Sequence, residues 1–244
     1  MNARFVTASR PTHFMSAPQP KEAWQIIAAS VPGTKHRKRN TPCQDVLEFC
    51  VLDNGALVAA LADGAGSASF AETGAAIAAR TALNSMSQSL KTIESPSETQ
   101  LREVLMLALS ASRTSVIAEA EKRNVRPREL ATTLIAAVFT DNQSASAQVG
   151  DGAVVIGQET HSYVLLTGPP ITEHLNETLF LTSDSALDQA QVGLAQGPVR
   201  YASLLCDGLQ MLALKYPELV PHAKFFAPLF AFLEHHGPGQ QTAD

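Results

Sequence analysis

The stretch Ala59-Ala60-Leu61-Ala62-Asp63-Gly64-Ala65-Gly66-Ser67 decides the fold prediction, because an apolar run ends there in a carboxylate followed by glycines. Residues 57–61 are apolar on both faces of an extended chain, which is typical of a buried strand. Asp63 would lie at the end of that strand, and Gly64 would let the backbone turn and expose its carbonyl oxygens. Hard divalent cations prefer such oxygen ligands. The stretch therefore predicts a metal site, with an ordinary Asp-Gly turn as the alternative.

A second carboxylate is expected beside Asp63. The strand predicted over residues 46–52 is joined to the strand over residues 56–62 by Asp53-Asn54-Gly55, a sequence with strong hairpin chemistry. Antiparallel pairing of these strands would bring Asp45 to the same end of the hairpin as Asp63. The hairpin thus predicts two carboxylates at one rim.

The spacing of apolar residues changes along the chain from that of strands to that of helices and back. It predicts one helix from Ala71 and a second that begins at a Ser97 capping box with Gln100 and ends before Pro127. Two shorter helices are predicted over residues 209–214 and 221–234. The other predicted strands span residues 24–31, 131–140, 144–149, 153–157, 162–167, 179–182 and 199–206.

Length and composition favour one globular domain. Of the 244 residues, 45% are hydrophobic and 17% are charged, which suits a chain with a sizeable core. Residues 1–22 contain several prolines and are expected to form a flexible leader, and residues 23–244 the domain. The net charge of −5 provides no basic field for nucleic acid, and no apolar stretch reaches transmembrane length, so neither nucleic acid nor a membrane is an expected partner. Three irregularly spaced cysteines predict reduced thiols and a cytoplasmic protein.

Several short motifs, taken together and in order, resemble those of the metal-dependent protein phosphatase 2C (PPM) family. They are Gln44-Asp45, Ala62-Asp63-Gly64-Ala65-Gly66, Ala131-Thr132-Thr133-Leu134, Val149-Gly150-Asp151 and Cys206-Asp207-Gly208. The sequence Gly33-Thr34-Lys35-His36, followed by Pro42-Cys43-Gln44-Asp45, looks most like the atypical bacterial branch of that family. The resemblance covers residues 24–244. It implies an α+β fold, namely a four-layer α-β-β-α sandwich in which two central antiparallel sheets are flanked by helices.

The resemblance also implies a site for two divalent ions, Mn²⁺ or Mg²⁺. Asp63 would bridge the two ions, Gly64 would offer its carbonyl oxygen to one, and Asp207 would ligate the other. Asp45 would hold metal-bound waters. In the family, the last acidic ligand lies just before a final core strand. That strand is absent from these 244 residues, and the only candidate for the ligand is Asp244, the final residue of the sequence.

Two departures from the family pattern concern the phosphate group. Asn40 stands where typical members carry an arginine that grips phosphate, and Ala65 stands where many eukaryotic members carry a proton-donating histidine. His36 is predicted to contact phosphate and donate the proton, because an imidazole titrates near neutral pH; a solvent-exposed loop histidine is the alternative. Arg39 is predicted to contact phosphate in a bidentate manner. Asp151 lies in a Gly-Asp-Gly sequence, which favours a turn-capping role over a ligand role.

The resemblance implies a metal-dependent serine/threonine phosphoprotein phosphatase, in which a water activated by two metal ions attacks phosphorus without a phosphoenzyme. Its partners would be phosphorylated protein substrates and an opposing Ser/Thr kinase system. The departures at Asn40, Ala65 and Asp244 leave a second interpretation open. In it the chain is a catalytically impaired pseudophosphatase that acts as a phosphoprotein-binding regulatory module.

Overall fold

The structure is a computed structural model that describes residues 3–9, 24–31, 43–159, 162–170 and 178–235. This part of the chain contains two large antiparallel sheets and one short hairpin. The strands are β1 (Ala3–Ser9), β2 (Gln25–Val31), β3 (Asp45–Val51), β4 (Leu57–Asp63), β5 (Leu134–Phe139), β6 (Gln143–Val149), β7 (Ala153–Glu159), β8 (Ser162–Thr167), β9 (Gln191–Gln196), β10 (Tyr201–Leu205), β11 (Leu214–Lys215) and β12 (Val220–Pro221). The first sheet has the order β3-β4-β5-β6-β9, and the second sheet has the order β2-β1-β10-β7-β8.

Helices cover the outer face of each sheet. The α-helices of the described residues are α1 (Ala71–Leu90), α2 (Glu98–Lys122), α3 (Gln210–Ala213) and α4 (Ala223–His235). Helix α2 begins at the predicted capping box, where Ser97 Oγ accepts from the Gln100 N–H at 3.2 Å and Gln100 Oε1 accepts from the Ser97 N–H at 2.8 Å. In the described part of the chain, no helix combines the length and apolar character that crossing a membrane requires.

Strand β4 shows why the layers form. Its even-numbered residues from Val58 to Ala62 belong to the core under α1 and α2. Its odd-numbered residues from Leu57 to Leu61 belong to the core between the two sheets. Both faces of β4 are therefore buried, which explains the continuous apolar run in the sequence. Burying a leucine or valine side chain such as Leu57, Val58 or Leu61 stabilises the fold by about 1.5–3 kcal/mol.

Helix α4 completes the fourth layer. Phe226, Phe230 and Leu233 of this helix, which was predicted over residues 221–234, are buried against the outer face of the second sheet. The Phe230 ring stacks on Tyr201 of β10 with the ring centroids 4.5 Å apart. The predicted fold class, a four-layer α-β-β-α sandwich with two antiparallel sheets, is confirmed.

The prediction of a flexible leader over residues 1–22 is wrong for residues 3–9. These residues form β1, which lies inside the second sheet and pairs with β10 on one side and β2 on the other. Val6 and Ala8 face the core between the sheets, and the Thr7 hydroxyl contacts Ser203 Oγ at 3.0 Å. The sequence did not predict this strand, because the partners of its polar residues lie in β10, which is far away along the chain. Residues 10–23 lie outside the described residues.

The strand predicted over residues 179–182 is also wrong, and the strand β9 was not predicted. Leu181 is fully buried in an irregular segment, where its N–H donates to the Thr132 carbonyl at 2.8 Å. Strand β9 contains Gly193, at which a Cβ atom would lie 2.0 Å from the Leu166 carbonyl oxygen of β8. A glycine breaks the apolar pattern expected of a strand, whereas here it lies between Val192 and Leu194 and permits close approach of two backbones.

Candidate metal centre

Asp45 and Asp63 lie side by side at one end of the β3–β4 hairpin. The strands pair with Asp45 directly opposite Asp63, so the predicted register is confirmed. Side chains of directly opposite residues project from the same face of a sheet. In β4 this is the face of Leu57 and Leu61, which looks toward the second sheet. Asp45 is fully buried.

The second sheet delivers two further side chains to the same place. Cys206 and Asp207 follow directly after β10, and Cys206 Sγ donates to Asp45 Oδ2 at 3.7 Å. One ligand atom from each of Asp45, Asp63 and Cys206 can be chosen so that all lie within 4.8 Å of one another. The Asp207 carboxylate is near enough to Asp63 for its negative charge to raise the pKa of Asp63. The structure therefore brings together three predicted ligands from opposite sheets.

The negative charges of this cluster favour the binding of a cation. Burial, the negative charges of Asp45 and Asp207, and hydrogen bonds from both raise the pKa of Asp63 to about 10. A buried carboxylate among other carboxylates is costly to ionise unless a positive charge neutralises it. Carboxylate oxygens suit Mg²⁺ or Mn²⁺, whereas the Cys206 thiol is a softer donor. The residues present thus fit a hard divalent cation.

Gly64 is required by the packing around it. A Cβ atom at this position would lie 2.8 Å from the Ala71 carbonyl atoms and 2.9 Å from the Gln44 carbonyl oxygen. The Gly64 N–H donates to Gln44 O at 3.2 Å. Within the described part of the chain, no backbone N–H donates to the Gly64 carbonyl. The role of that carbonyl oxygen as a metal ligand stays a prediction.

The main chain of Asp63 is held by Thr132 and Thr133, which precede β5. The Asp63 N–H donates to Thr133 Oγ1 at 3.1 Å, and the Asp63 carbonyl accepts from the Thr133 N–H at 2.8 Å. Thr132 Oγ1 donates to the same carbonyl at 2.9 Å. Sequence reasoning noted these threonines only as part of a motif. Their role was not visible because the contacts join residues 70 positions apart.

Asp151 lies in the turn between β6 and β7, as predicted, and is near enough to Asp207 to be affected by its charge. Its Oδ2 accepts from the Thr178 hydroxyl at 3.0 Å. Burial raises the pKa of Asp151, the Thr178 hydrogen bond lowers it, and the charge of Asp207 raises it further. The charge of Asp151 in turn helps burial to raise the pKa of the Tyr216 phenol. Asp151 therefore belongs to the rim of the acidic cluster.

Three of the predicted site residues lie outside the described residues. They are His36 and Arg39, predicted to contact phosphate, and Asp244, predicted as the last metal ligand. Their roles remain predictions.

A sequence profile described as Protein phosphatase 2C matches residues 32–243, which is most of the chain. The chain belongs to the protein phosphatase 2C family. It is also 31% identical over 213 residues to serine/threonine-protein phosphatase 3 of Escherichia coli (strain K12), covering 85% of this chain and 82% of that protein. The family predicted from the motifs is thus confirmed.

Solved structures share the 2C-family fold with this chain. The serine/threonine phosphatase Stp1 from Staphylococcus aureus superimposes with a TM-score of 0.55 at 12% identity, over 80% of this chain and 84% of that one. The Mycobacterium tuberculosis serine/threonine phosphatase PstP/Ppp gives a TM-score of 0.53 at 15% identity, over 96% of this chain and 92% of that one. At such low identity these similarities concern the fold alone.

Proposed function

We propose that this 2C-family protein is a metal-dependent serine/threonine phosphoprotein phosphatase. The observation that carries the proposal is the convergence of Asp45, Asp63 and Asp207 from two sheets on one place. Burial, together with the charges of Asp45 and Asp207, raises the pKa of Asp63 to about 10, so that a cation would be bound strongly there. Structural side chains seldom need such an arrangement, whereas perturbed acidic clusters are typical of functional sites.

The residues have distinct roles in this proposal. Asp63 would bridge two Mn²⁺ or Mg²⁺ ions, the Gly64 carbonyl and Asp207 would each serve one of them, and Asp45 would hold coordinated water. Asp244 would supply a further ligand. When bound, the two ions would activate a water for attack on phosphorus and neutralise charge on the phosphate. His36 would bind the phosphate and protonate the leaving oxygen, and Arg39 would bind a second phosphate oxygen.

The proposed substrates are proteins phosphorylated on serine or threonine. The E. coli relative carries the name serine/threonine-protein phosphatase, and two thirds or more of each chain is covered by the match. An opposing serine/threonine kinase is the corresponding proposed partner. The pseudophosphatase interpretation is not favoured, because Asp45 and Asp63 lie in one cluster of possible ligands and the charge of nearby Asp207 acts on Asp63.

Hydrolysis of p-nitrophenyl phosphate and of a phosphothreonine peptide tests the proposal. The chain should hydrolyse both with Mn²⁺, and EDTA should abolish the activity. Asp63→Asn should lower kcat/KM by more than the about 10–100-fold typical of residues that only support a metal ligand. The matched control is Asp53→Asn, the same change at an exposed position at the opposite end of the hairpin. Full activity of Asp63→Asn, or activity that survives EDTA, would refute the proposed site.

A further inference from the structure

Thr133 lies where two parts of the candidate metal centre meet. Its Oγ1 accepts the Asp63 N–H at 3.1 Å, and its own N–H donates to the Asp63 carbonyl at 2.8 Å. Thr132 Oγ1 adds a second donor to that carbonyl at 2.9 Å. Both threonines are buried. Together they satisfy the backbone donor and acceptor of Asp63, and this fixes the residue from which its carboxylate projects.

The other face of the Thr133 side chain contacts the turn that carries Asp151. A Cβ atom at Gly150 would lie 2.5 Å from Thr133 Cβ and Cγ2, so only a glycine fits against this methyl group. Gly150 also has a φ of +113°, which glycine adopts without strain. The hydroxyl of one side chain therefore faces Asp63, and its methyl group faces the Gly150-Asp151 turn.

We propose that Thr133 is a positioning residue of the metal centre: its hydroxyl fixes the main chain of Asp63, whereas its methyl group only packs against Gly150. Thr132 supports it through the Asp63 carbonyl. The inference rests on the proposed function, since it assigns Thr133 the task of holding Asp63 in the geometry that binds the cation. Residues that orient a metal ligand typically influence metal affinity as well as activity.

The physical reason is that the Asp63 carboxylate can reach a cation only if its main chain is held in place. The hydrogen bonds to the N–H and the carbonyl of Asp63 fix the point from which this side chain projects. Without the Thr133 hydroxyl, the Asp63 N–H would lose its acceptor in a buried place, where an unpaired donor is costly.

Two variants separate the two faces of Thr133. Thr133→Val keeps the shape and removes the hydroxyl, whereas Thr133→Ser keeps the hydroxyl and removes the methyl group. We expect Thr133→Val to weaken Mn²⁺ binding, measured by calorimetry, by about tenfold or more. Thr133→Ser should bind Mn²⁺ as the wild type does. Thr7→Val is the matched control, because it removes another buried threonine hydroxyl, which contacts Ser203 rather than Asp63; its Mn²⁺ affinity should be unchanged.

Several results would overturn the inference. Wild-type affinity in Thr133→Val would do so, as would an equal loss in Thr133→Ser or in Thr7→Val. If circular dichroism shows that Thr133→Val does not fold, Thr132→Val tests the pair instead, since it removes the hydroxyl that lies 2.9 Å from both the Asp63 carbonyl and the Thr133 carbonyl. Unchanged Mn²⁺ affinity in a folded Thr132→Val would then contradict the role of the pair. A wild-type chain that neither binds Mn²⁺ nor hydrolyses phosphate esters would instead refute the proposed function itself.

Discussion

The two sheets contribute to the metal centre in different ways. The first sheet supplies Asp45 and Asp63 from adjacent strands of one hairpin, where local pairing places them opposite each other. The second sheet supplies Cys206 and Asp207 from the end of β10, and Cys206 lies 161 residues after the Asp45 that it contacts. The comparison shows that half of the site is specified by a turn and a strand register. The other half depends on how the two sheets pack.

The position of the second half is set by the neighbours of β10. This strand pairs with β1 on one side and β7 on the other, and its Ala202 and Leu204 pack in the core between the sheets. Any change in that core would move Asp207 relative to Asp63, whereas the hairpin would keep Asp45 beside Asp63. We therefore expect the two halves to respond differently to mutation.

The largest effect is expected when one carboxylate is removed from each half. Asp45→Asn and Asp207→Asn should each lower kcat/KM for p-nitrophenyl phosphate by at least about 10–100-fold and raise the Mn²⁺ concentration needed for activity. If both halves bind shared ions, the double variant should lose less than the product of the single losses, because residues that act as a unit are non-additive. Strictly multiplicative losses would mean that the two halves act independently. Asp53→Asn, which is exposed, serves again as the control.

A smaller effect is expected on the stability of the metal-free protein. The pKa of Asp63 rises from its ordinary 3.8 to about 10 in the folded state, so the folded chain keeps a proton that the unfolded chain releases between these values. The resulting stabilisation is complete below pH 3.8 and is lost as the pH rises toward 10. Asp63→Asn carries no such proton. Its melting temperature should therefore fall less between pH 5 and pH 9 than that of the wild type.

Thermal unfolding in EDTA measures this difference. At pH 9, a gain of about 1 kcal/mol in Asp63→Asn would raise the melting temperature by about 2–4 °C for a chain of this size. Asp63→Asn, which is expected to be the more stable protein without metal, should show no rise in melting temperature when Mn²⁺ is added. Identical pH profiles for Asp63→Asn and wild type would show that Asp63 is not the carboxyl group that holds the proton.

The difference between the halves also explains what the sequence could predict. The Asp53-Asn54-Gly55 turn and the apolar run of β4 determine the register, so the adjacency of Asp45 and Asp63 followed from the residues alone. The convergence of Asp207 was expected only through the family resemblance, because no local pattern relates β10 to β4. Strand β1 was not predicted for the same reason, because the contact of its Thr7 with Ser203 of β10 joins residues that are far apart in the sequence.

Side-chain contacts between distant segments were likewise beyond sequence reasoning. The hydroxyl of Thr133 and the thiol of Cys206 were each part of a recognised motif, but their partners could be identified only in the folded chain. The contact between Cys206 and Asp45 could not be predicted, because spacing along the chain carries no information about such a pair.

The smallest effect is expected at Cys206, the contact that joins the two halves. Its thiol donates a weak hydrogen bond to Asp45 Oδ2 at 3.7 Å, so Cys206→Ala should loosen that carboxylate and weaken Mn²⁺ binding a few-fold, as expected for a neutral hydrogen bond of about 0.5–1.5 kcal/mol. Cys206→Ser keeps a donor of similar size and should restore the affinity. Cys50→Ser is the control, because Cys50 contacts Ser87 at 3.3 Å on the face of β3 that looks toward α1. Equal Mn²⁺ affinity in the alanine and serine variants at Cys206 would contradict a role for this contact, and the packing of the sheets alone would then hold the two halves together.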